Sequence, residues 1–241
     1  MDGANAPIEV LEGIERRCVR LRPLPTPDVL EYSLPQATCL VTDNGSVTTL
    51  KLVQALLEKG WRVTVLSFPP ELLPQQVPLP PGVRRVILAD LTEAHLQQRL
   101  AEIAADGPIG AFIHLHPRFA AEGLAFLEAD RAIVKQVFFI AKHLKQTLSQ
   151  TAHSGFYTVT HLDGAFGFDH DHSFTAIPAG LFGLTKTLAM EWPTVACRAL
   201  DLSPSLDADQ ITACILAELH DPDRSVTEVA YGAKGRVTLT V

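Results

Sequence analysis

Apolar residues in this chain fall into short unbroken runs, and between the runs they recur every three or four positions. The runs Thr38–Thr42 (TCLVT), Arg62–Leu66 (RVTVL), Arg85–Leu88, Ala111–Leu115, Phe156–Thr160 and Ala196–Leu200 are short and apolar, several of them β-branched, as strands covered on both faces must be. The intervening spacing predicts helices. Leu50, Val53, Leu56 and Leu57 line one face of a helix that Ser46 can cap and Gly60 stops. Others are expected over Glu93–Ala105, from Phe174 to Trp192, and from Ala208 to Leu219 behind an Asp207 cap. A longer one over roughly 120–150 has Leu124, Leu127, Val134, Val137, Phe138 and Ala141 on its apolar side and a break near Gly123. Strands alternating with helices in this way define an α/β fold, a Rossmann-like doubly wound parallel sheet.

Both ends depart from the alternation. Arg17–Arg22 (RCVRLR) alternates charged and apolar side chains as an extra, half-buried N-terminal strand, and Pro23, Pro25 and Pro27 end it. The closing EVAY-GAKG-RVTLTV reads as a β-hairpin with Gly232 and Gly235 supplying the turn. The expected parts are therefore a strand and proline linker (1–36), a Rossmann-like domain (37–222) and a C-terminal hairpin (223–241), together forming one structural unit. Pro69–Gly82 carries six prolines and is expected to be a stiff surface loop.

At 241 residues the chain can bury the core of one large domain. Its net charge of −7 offers no basic footprint for nucleic acid or an anionic membrane surface. No apolar run reaches the length of a membrane span, and MDGANAPIEV lacks the basic and apolar regions of a signal peptide. Cys18, Cys39, Cys197 and Cys214 are scattered without metal or redox spacing, as reduced, mostly buried thiols of a cytoplasmic protein would be. Asp169, His170, Asp171 and His172 alternate within one short loop, where side chains diverge, so a solvated loop is expected and no metal. Ser203 and Ser205 lack a nucleophile-elbow context. Tyr157, Lys142 and Lys186 are not spaced as a catalytic dyad, and Trp192-Pro193 reads as packing.

The stretch FTAIPAGLFGLTKTLAMEW, Phe174–Trp192, resembles the active-site helix of short-chain dehydrogenases. Gly180, Gly183, Leu184 and Leu188 keep the small and apolar side chains expected of close packing on the sheet. The catalytic Tyr and Lys positions of that family fall on Phe174 and Pro178, and its Ser position falls near His161. TDNGSVTT stands where the family has T-G-x-x-x-G-x-G, the glycines that let backbone approach a pyrophosphate. Thr42 agrees, Asp43, Val47 and Thr49 replace the glycines, and Gly45 lies one residue into the variable part. On this alignment Asp43 sets a carboxylate beside the phosphates and Val47 fills their space. Asp90 matches an adenine-contacting Asp, although it is equally a common cap. His114, in IHLHP, matches the H-A-A-G variant of the family's N-N-A-G motif, with His116 and Pro117 in place of small residues. The resemblance thus leaves vestigial cofactor positions and implies no catalytic residue in this chain.

Within that family the chain resembles the ketoreductase region of type I polyketide and polyunsaturated fatty acid synthases, in RLRPLPTPD, GAFGF, GLTKTLAMEWP, CRALDL and EVAYGAKGR. The last is similar to E-V-A-Y-R-x-G-x-R-Y, with Gly232 where the usual Arg stands. The resemblance covers nearly all of the chain and points to the structural subdomain of that region, which holds no cofactor. Its partner would be the catalytic ketoreductase subdomain, with the acyl carrier protein as a further one, and the parent enzyme would use NADPH to reduce a β-ketoacyl group. The retained Thr42, Asp90 and His114 support a second reading, a free-standing divergent NADP-dependent reductase or an NADP-sensing regulator.

Overall fold

The computed structural model describes residues 17–34, 36–119, 125–169 and 175–241. The elements run β1 (Arg20–Pro23), β2 (Thr38–Thr42), α1 (Val47–Glu58), β3 (Arg62–Ser67), β4 (Arg84–Ile87), α2 (Glu93–Ala104), β5 (Ile109–Leu115) and α3 (Ala125–Gln150). They continue with β6 (Gly155–Thr160), α4 (Gly180–Glu191), β7 (Ala196–Leu202), α5 (Ala208–Leu219), β8 (Glu228–Gly232) and β9 (Gly235–Thr240). All nine strands form one sheet in the order β1-β9-β8-β7-β6-β5-β2-β3-β4. From β4 to β8 neighbours are parallel, and β9 and β1 extend the sheet antiparallel. This is the expected Rossmann-like α/β sheet with an added N-terminal strand and C-terminal hairpin. Every residue of β2, β5 and β6 is buried, which is why those runs show no polar alternation.

Helices cover both faces. Leu52, Val53 and Leu56 of α1 and Ile211, Ile215 and Leu219 of α5 pack over Cys39, Val41, Ile113, Val159 and Leu200. On the other face Leu96, Leu100, Ile133, Val137, Leu144, Leu181 and Leu188, from α2, α3 and α4, pack over Leu40, Phe112 and Phe156. Ser46 caps α1 by accepting from Thr48 N–H, and Asp207 and Gln210 form a reciprocal capping box on α5. Each such cap is worth about 1 kcal/mol.

Four sequence expectations need correction. The helix expected from Phe174 becomes α-helical at Gly180, after a 3-10 turn at Ile177–Ala179 that contains Pro178. Phe174 itself, Gly123, Leu124 and His170–His172 lie outside the described residues. On α4 the packing face is Leu181, Phe182, Thr185 and Leu188, whereas Gly180 and Gly183 point into open space on the outer face. Phe138 is likewise 52% exposed, since the buried stripe of α3 runs through Ile133, Val137, Ile140 and Leu144. The proline-rich segment, finally, is only partly a surface loop, because Leu73 is buried and joins Phe68 in the core. Of the cysteines, Cys39 and Cys197 are buried, and Cys18 is exposed.

The hairpin is held by a buried ion network. Glu218 and Asp221, at the C-terminal end of α5, face Arg198 of β7 and Arg236 of β9, and all four side chains are under 10% exposed. Arg236 donates from Nε to Glu218 Oε1 at 2.7 Å, from Nη2 to Asp221 Oδ2 at 2.7 Å, and from Nη1 to the Pro25 carbonyl at 2.7 Å. Tyr231 of β8 donates to Glu218 Oε1. One carboxylate thus ties β7, β8 and β9 together, and through Arg236 the linker behind β1. Backbones also meet directly. A Cβ on Gly164, which has φ +76°, would stand 2.3 Å from the Tyr231 carbonyl, and one on Gly232 would stand 2.8 Å from the Gly164 carbonyl. That approach accounts for glycine at 232. Glu218→Ala leaves two buried guanidinium groups sharing the single carboxylate of Asp221, and its expected cost is about 3 kcal/mol, read from urea unfolding midpoints against the native chain.

Candidate functional site

The cleft lies at the C-terminal ends of β2, β5, β6 and β7, with the turn from β2 into α1 as one wall. In a dinucleotide site the N–H groups of such a turn face the pyrophosphate. Here they are donated within the turn. Asn44 N–H goes to Thr49 Oγ1 at 3.2 Å, Gly45 N–H to Asp43 Oδ1 at 2.9 Å, and Ser46 N–H to Asn44 Oδ1 at 3.1 Å. Thr48 N–H goes to Ser46 Oγ at 3.2 Å and Thr49 N–H to the Ser46 carbonyl at 3.1 Å. The Thr49 hydroxyl closes the ring by donating to Asn44 Oδ1 at 2.8 Å. Gly45, at φ +73°, makes the bend, and Leu73 and the Gln75 carbonyl press on it so closely that a Cβ there would sit 3.0 Å from each.

Asp43 does not face the phosphate position. Its carboxylate is fully buried, accepts from Ser67 Oγ at 3.1 Å, and lies 3.4 Å from Arg85. The obstacle at the turn is therefore its internal pairing, to which Asp43 contributes by accepting from Gly45 N–H, with Leu73 packed on its outside. Val47 does project into the cleft, half exposed. Asp90 sits apart, accepting the Thr92 N–H at 2.7 Å and hydroxyl at 2.6 Å ahead of α2; these bonds hold its carboxyl below the usual range. It does not cap α2, which Thr92 does by accepting from His95 N–H; Asp90 holds Thr92 in place.

Beneath the cleft runs a chain of polar groups that the sequence did not reveal. Thr42 Oγ1 lies 2.9 Å from His114 Nδ1, His114 Nε2 lies 3.2 Å from His116 Nδ1, and His116 Nε2 lies 2.9 Å from Asp130 Oδ1. Thr175, in the segment before α4, donates to Asp130 Oδ2 at 2.6 Å. One proton arrangement satisfies every contact. Thr42 accepts from Leu115 N–H and donates to His114. Both imidazoles carry their proton on Nε2, and Asp130 receives at both oxygens. Burial, then the neighbouring His116, keeps His114 neutral. Thr42 and His114 are thereby committed to the interior. The alternation H-x-H on a buried strand, which places both rings on one face, was the available signal.

At the far wall, two aspartates organise the loop after β6. Asp201 accepts from the N–H groups of Leu162, Gly164 and Phe166 at 2.7–3.0 Å, and Asp163 from those of Ala165, Gly167 and Asp169 at 2.8–2.9 Å. His161 begins this loop and lines the cleft, its Nδ1 3.1 Å from the Leu202 carbonyl. Burial, reinforced by Arg118, pushes its pKa down to about 4. Pro178 is buried where the alignment places the catalytic Lys.

The remaining candidates are engaged elsewhere. Tyr157 is buried beneath α5, its hydroxyl 3.4 Å from the Leu219 carbonyl, and burial pushes it well above the normal range. Lys142 pairs with Glu93 and Lys186 with Glu228. Ser203 and Ser205 bond each other at 2.8 Å, Asp169 pairs with Lys234 at 2.7 Å, and Trp192 packs edge-on against Phe156. Among the described residues no group of His, Cys, Asp and Glu is arranged to hold a metal ion, and no helix is long and apolar enough to cross a membrane.

A nine-stranded, mostly parallel sheet with its cleft at the β2–α1 turn is the fold of short-chain dehydrogenase/reductases. The solved structures agree. A keto acid-selecting NRPS module, containing adenylation, ketoreductase and pseudo-Asub parts, matches 92% of this chain with a TM-score of 0.69 at 14% identity. This chain spans 18% of that multidomain protein. A short-chain dehydrogenase/reductase from Mycobacterium ulcerans matches 82% of this chain and 88% of its own, with a TM-score of 0.61 at 14% identity. FolM alternative dihydrofolate reductase 1 from Brucella suis, solved with NADP, matches 81% of this chain and 92% of its own, with a TM-score of 0.60 at 15% identity. No family profile and no curated sequence matches. These likenesses show the fold.

The two buried imidazoles make stability depend on pH. His161 titrates near 4 in the folded chain against an ordinary value near 6.5, and His114 is shifted in the same direction. Their neutral forms are what the fold accommodates. Their contribution is fully present above pH 6.5 and is lost as pH falls from there toward 4. Urea midpoints measured across this window should fall on acidification, and His161→Asn should make the fall shallower than in the native chain.

Proposed function

We propose that this chain is a non-catalytic, short-chain-dehydrogenase-like subdomain that scaffolds a separate NADPH-dependent ketoreductase domain of a polyketide or fatty acid synthase. One observation carries the first half of this reading: the N–H groups of Asn44, Gly45, Ser46, Thr48 and Thr49 are all donated inside the turn. A pyrophosphate would have to replace those bonds, and each buried group left unpaired costs about 1–3 kcal/mol. The residues present do not fit the dinucleotide, and no hydride-transfer step follows from them. The chemistry is absent as well. The sequence has Phe at 174 and Pro at 178, neither of which offers a proton or a charge at the carbonyl of a substrate.

The scaffold half rests on the sequence resemblance and on the match to the NRPS module. The β1–β9 edge supports it. Among the described residues β1 is the outermost strand of the sheet, and Val19 and Val241 are 46% and 74% exposed beside it, where a neighbouring domain of the same polypeptide could add to the sheet. The alternative reading as a free-standing reductase or NADP sensor drew on Thr42, Asp90 and His114. Each of these is committed to an internal partner.

Two experiments address this. Titration with NADPH, followed calorimetrically, should give no saturable heat, and a micromolar dissociation constant overturns the reading. The paired variant Phe174→Tyr with Pro178→Lys should remain without ketone reduction, because the turn still excludes the cofactor. Measurable turnover by that variant overturns the account of the turn.

A further inference from the structure

The turn donates the N–H groups of Asn44, Gly45, Ser46, Thr48 and Thr49 internally, yet the cleft remains a cavity of about 500 Å³, within the range of small-molecule sites. Its walls are mixed: Val47 from α1, Leu72 and Leu73 from the proline-rich segment, Phe119 after β5, and Leu206 and Ile211 around the start of α5 form an apolar side, while Asn44, Ser46, Thr48 and Gln75 give polar surface on the other. Arg118 is the single charged residue among those lining it. Its guanidinium makes one long contact of 3.4 Å, to the Pro204 carbonyl, so most of its N–H groups are available. His161 adds no second charge, because burial and Arg118 keep it neutral at physiological pH, and among the described residues no carboxylate lines the cavity, Asp43 being turned toward Ser67 and Arg85.

One cation, no acid and an apolar wall select for a ligand of matching charge. We infer that the cavity binds a medium-chain monocarboxylate, with its carboxylate on Arg118 and its hydrocarbon chain against Val47, Leu72, Leu73, Leu206 and Ile211. A fork of N–H donors matches a carboxylate at both oxygens. A dinucleotide carries several negative charges and finds here one guanidinium and a turn already paired. This inference is independent of the scaffold reading, since a scaffold holds its neighbour whether or not its cleft is filled.

The test uses straight-chain carboxylates as probes. Butyrate, hexanoate, octanoate and acetate are titrated into the full chain, with affinity read by calorimetry and location by amide chemical-shift changes. Saturable octanoate binding is expected, with shifts at Val47, Leu73 and Ile211. Affinity should rise about fourfold for each added CH₂ that the wall covers, and acetate should bind too weakly to detect. Arg118→Ala should weaken octanoate binding about tenfold or more while leaving the urea midpoint unchanged, because the side chain is exposed. Failure of octanoate to saturate at millimolar concentration overturns the inference. So does affinity that ignores chain length, or shifts that cluster away from the cleft. NADPH titrated in parallel separates the two readings: NADPH binding without octanoate binding defeats both, and the absence of both defeats this one alone.

Discussion

The carboxylate of Glu218 has no solvent around it and two guanidinium groups beside it, so it can be neither removed nor discharged without leaving Arg198 and Arg236 with only Asp221 to balance two buried charges. The extension of the sheet beyond β7 depends on this arrangement. β8 and β9 are as long as β2 and β6, but their burial is patchier and β1 is mostly exposed, and among the described residues no helix packs on β1. Apolar burial falls off at this end of the sheet, and a charge network supplies the register that packing supplies at the centre. It also carries the linker, because Arg236 reaches the Pro25 carbonyl.

The same rule, that a buried polar group must find a partner, shapes the cleft. A nucleotide-binding turn leaves donors unpaired so that a ligand can complete them. This turn completes itself with Asp43, Asn44, Ser46 and Thr49. Below it, the Thr42–His114–His116–Asp130–Thr175 chain uses polar side chains at the strand ends to join β2, β5, α3 and the approach to α4. Polar residues that a ligand would ordinarily justify are structural here, and the space above them is bounded by apolar side chains on one side and polar ones on the other.

Much of the fold was legible in the sequence because central strands are buried on both faces and must be apolar throughout. TCLVT and the GFYTVT segment carry that signature without needing context. The caps Ser46 and Asp207 were legible because capping is a local bond. What sequence reasoning missed depends on distant partners. Asp43 looked like a charge facing the cleft because Ser67 and Arg85, which draw it away, come from β3 and β4. Gly180 and Gly183 looked like packing residues because composition does not say which side of a helix meets the sheet; Thr185, buried against Thr158, marks the side that does. The Glu218 network joins four segments, and although β8 and β9 are paired by a local hairpin, no local spacing rule links them to Arg198 of β7 or to the end of α5.

The contact between Gly164 and Gly232 has an evolutionary side. Two main chains touch there with no side chain between them, one belonging to the loop that closes the cleft and the other to the hairpin at the edge of the sheet. A larger residue at either place is tolerated only if the opposite strand withdraws, and withdrawal at 164 breaks a bond to Asp201. The two segments are therefore bound to diversify together: a lineage that gains a side chain at 232 must rebuild the loop opposite, and with it the wall of the cleft.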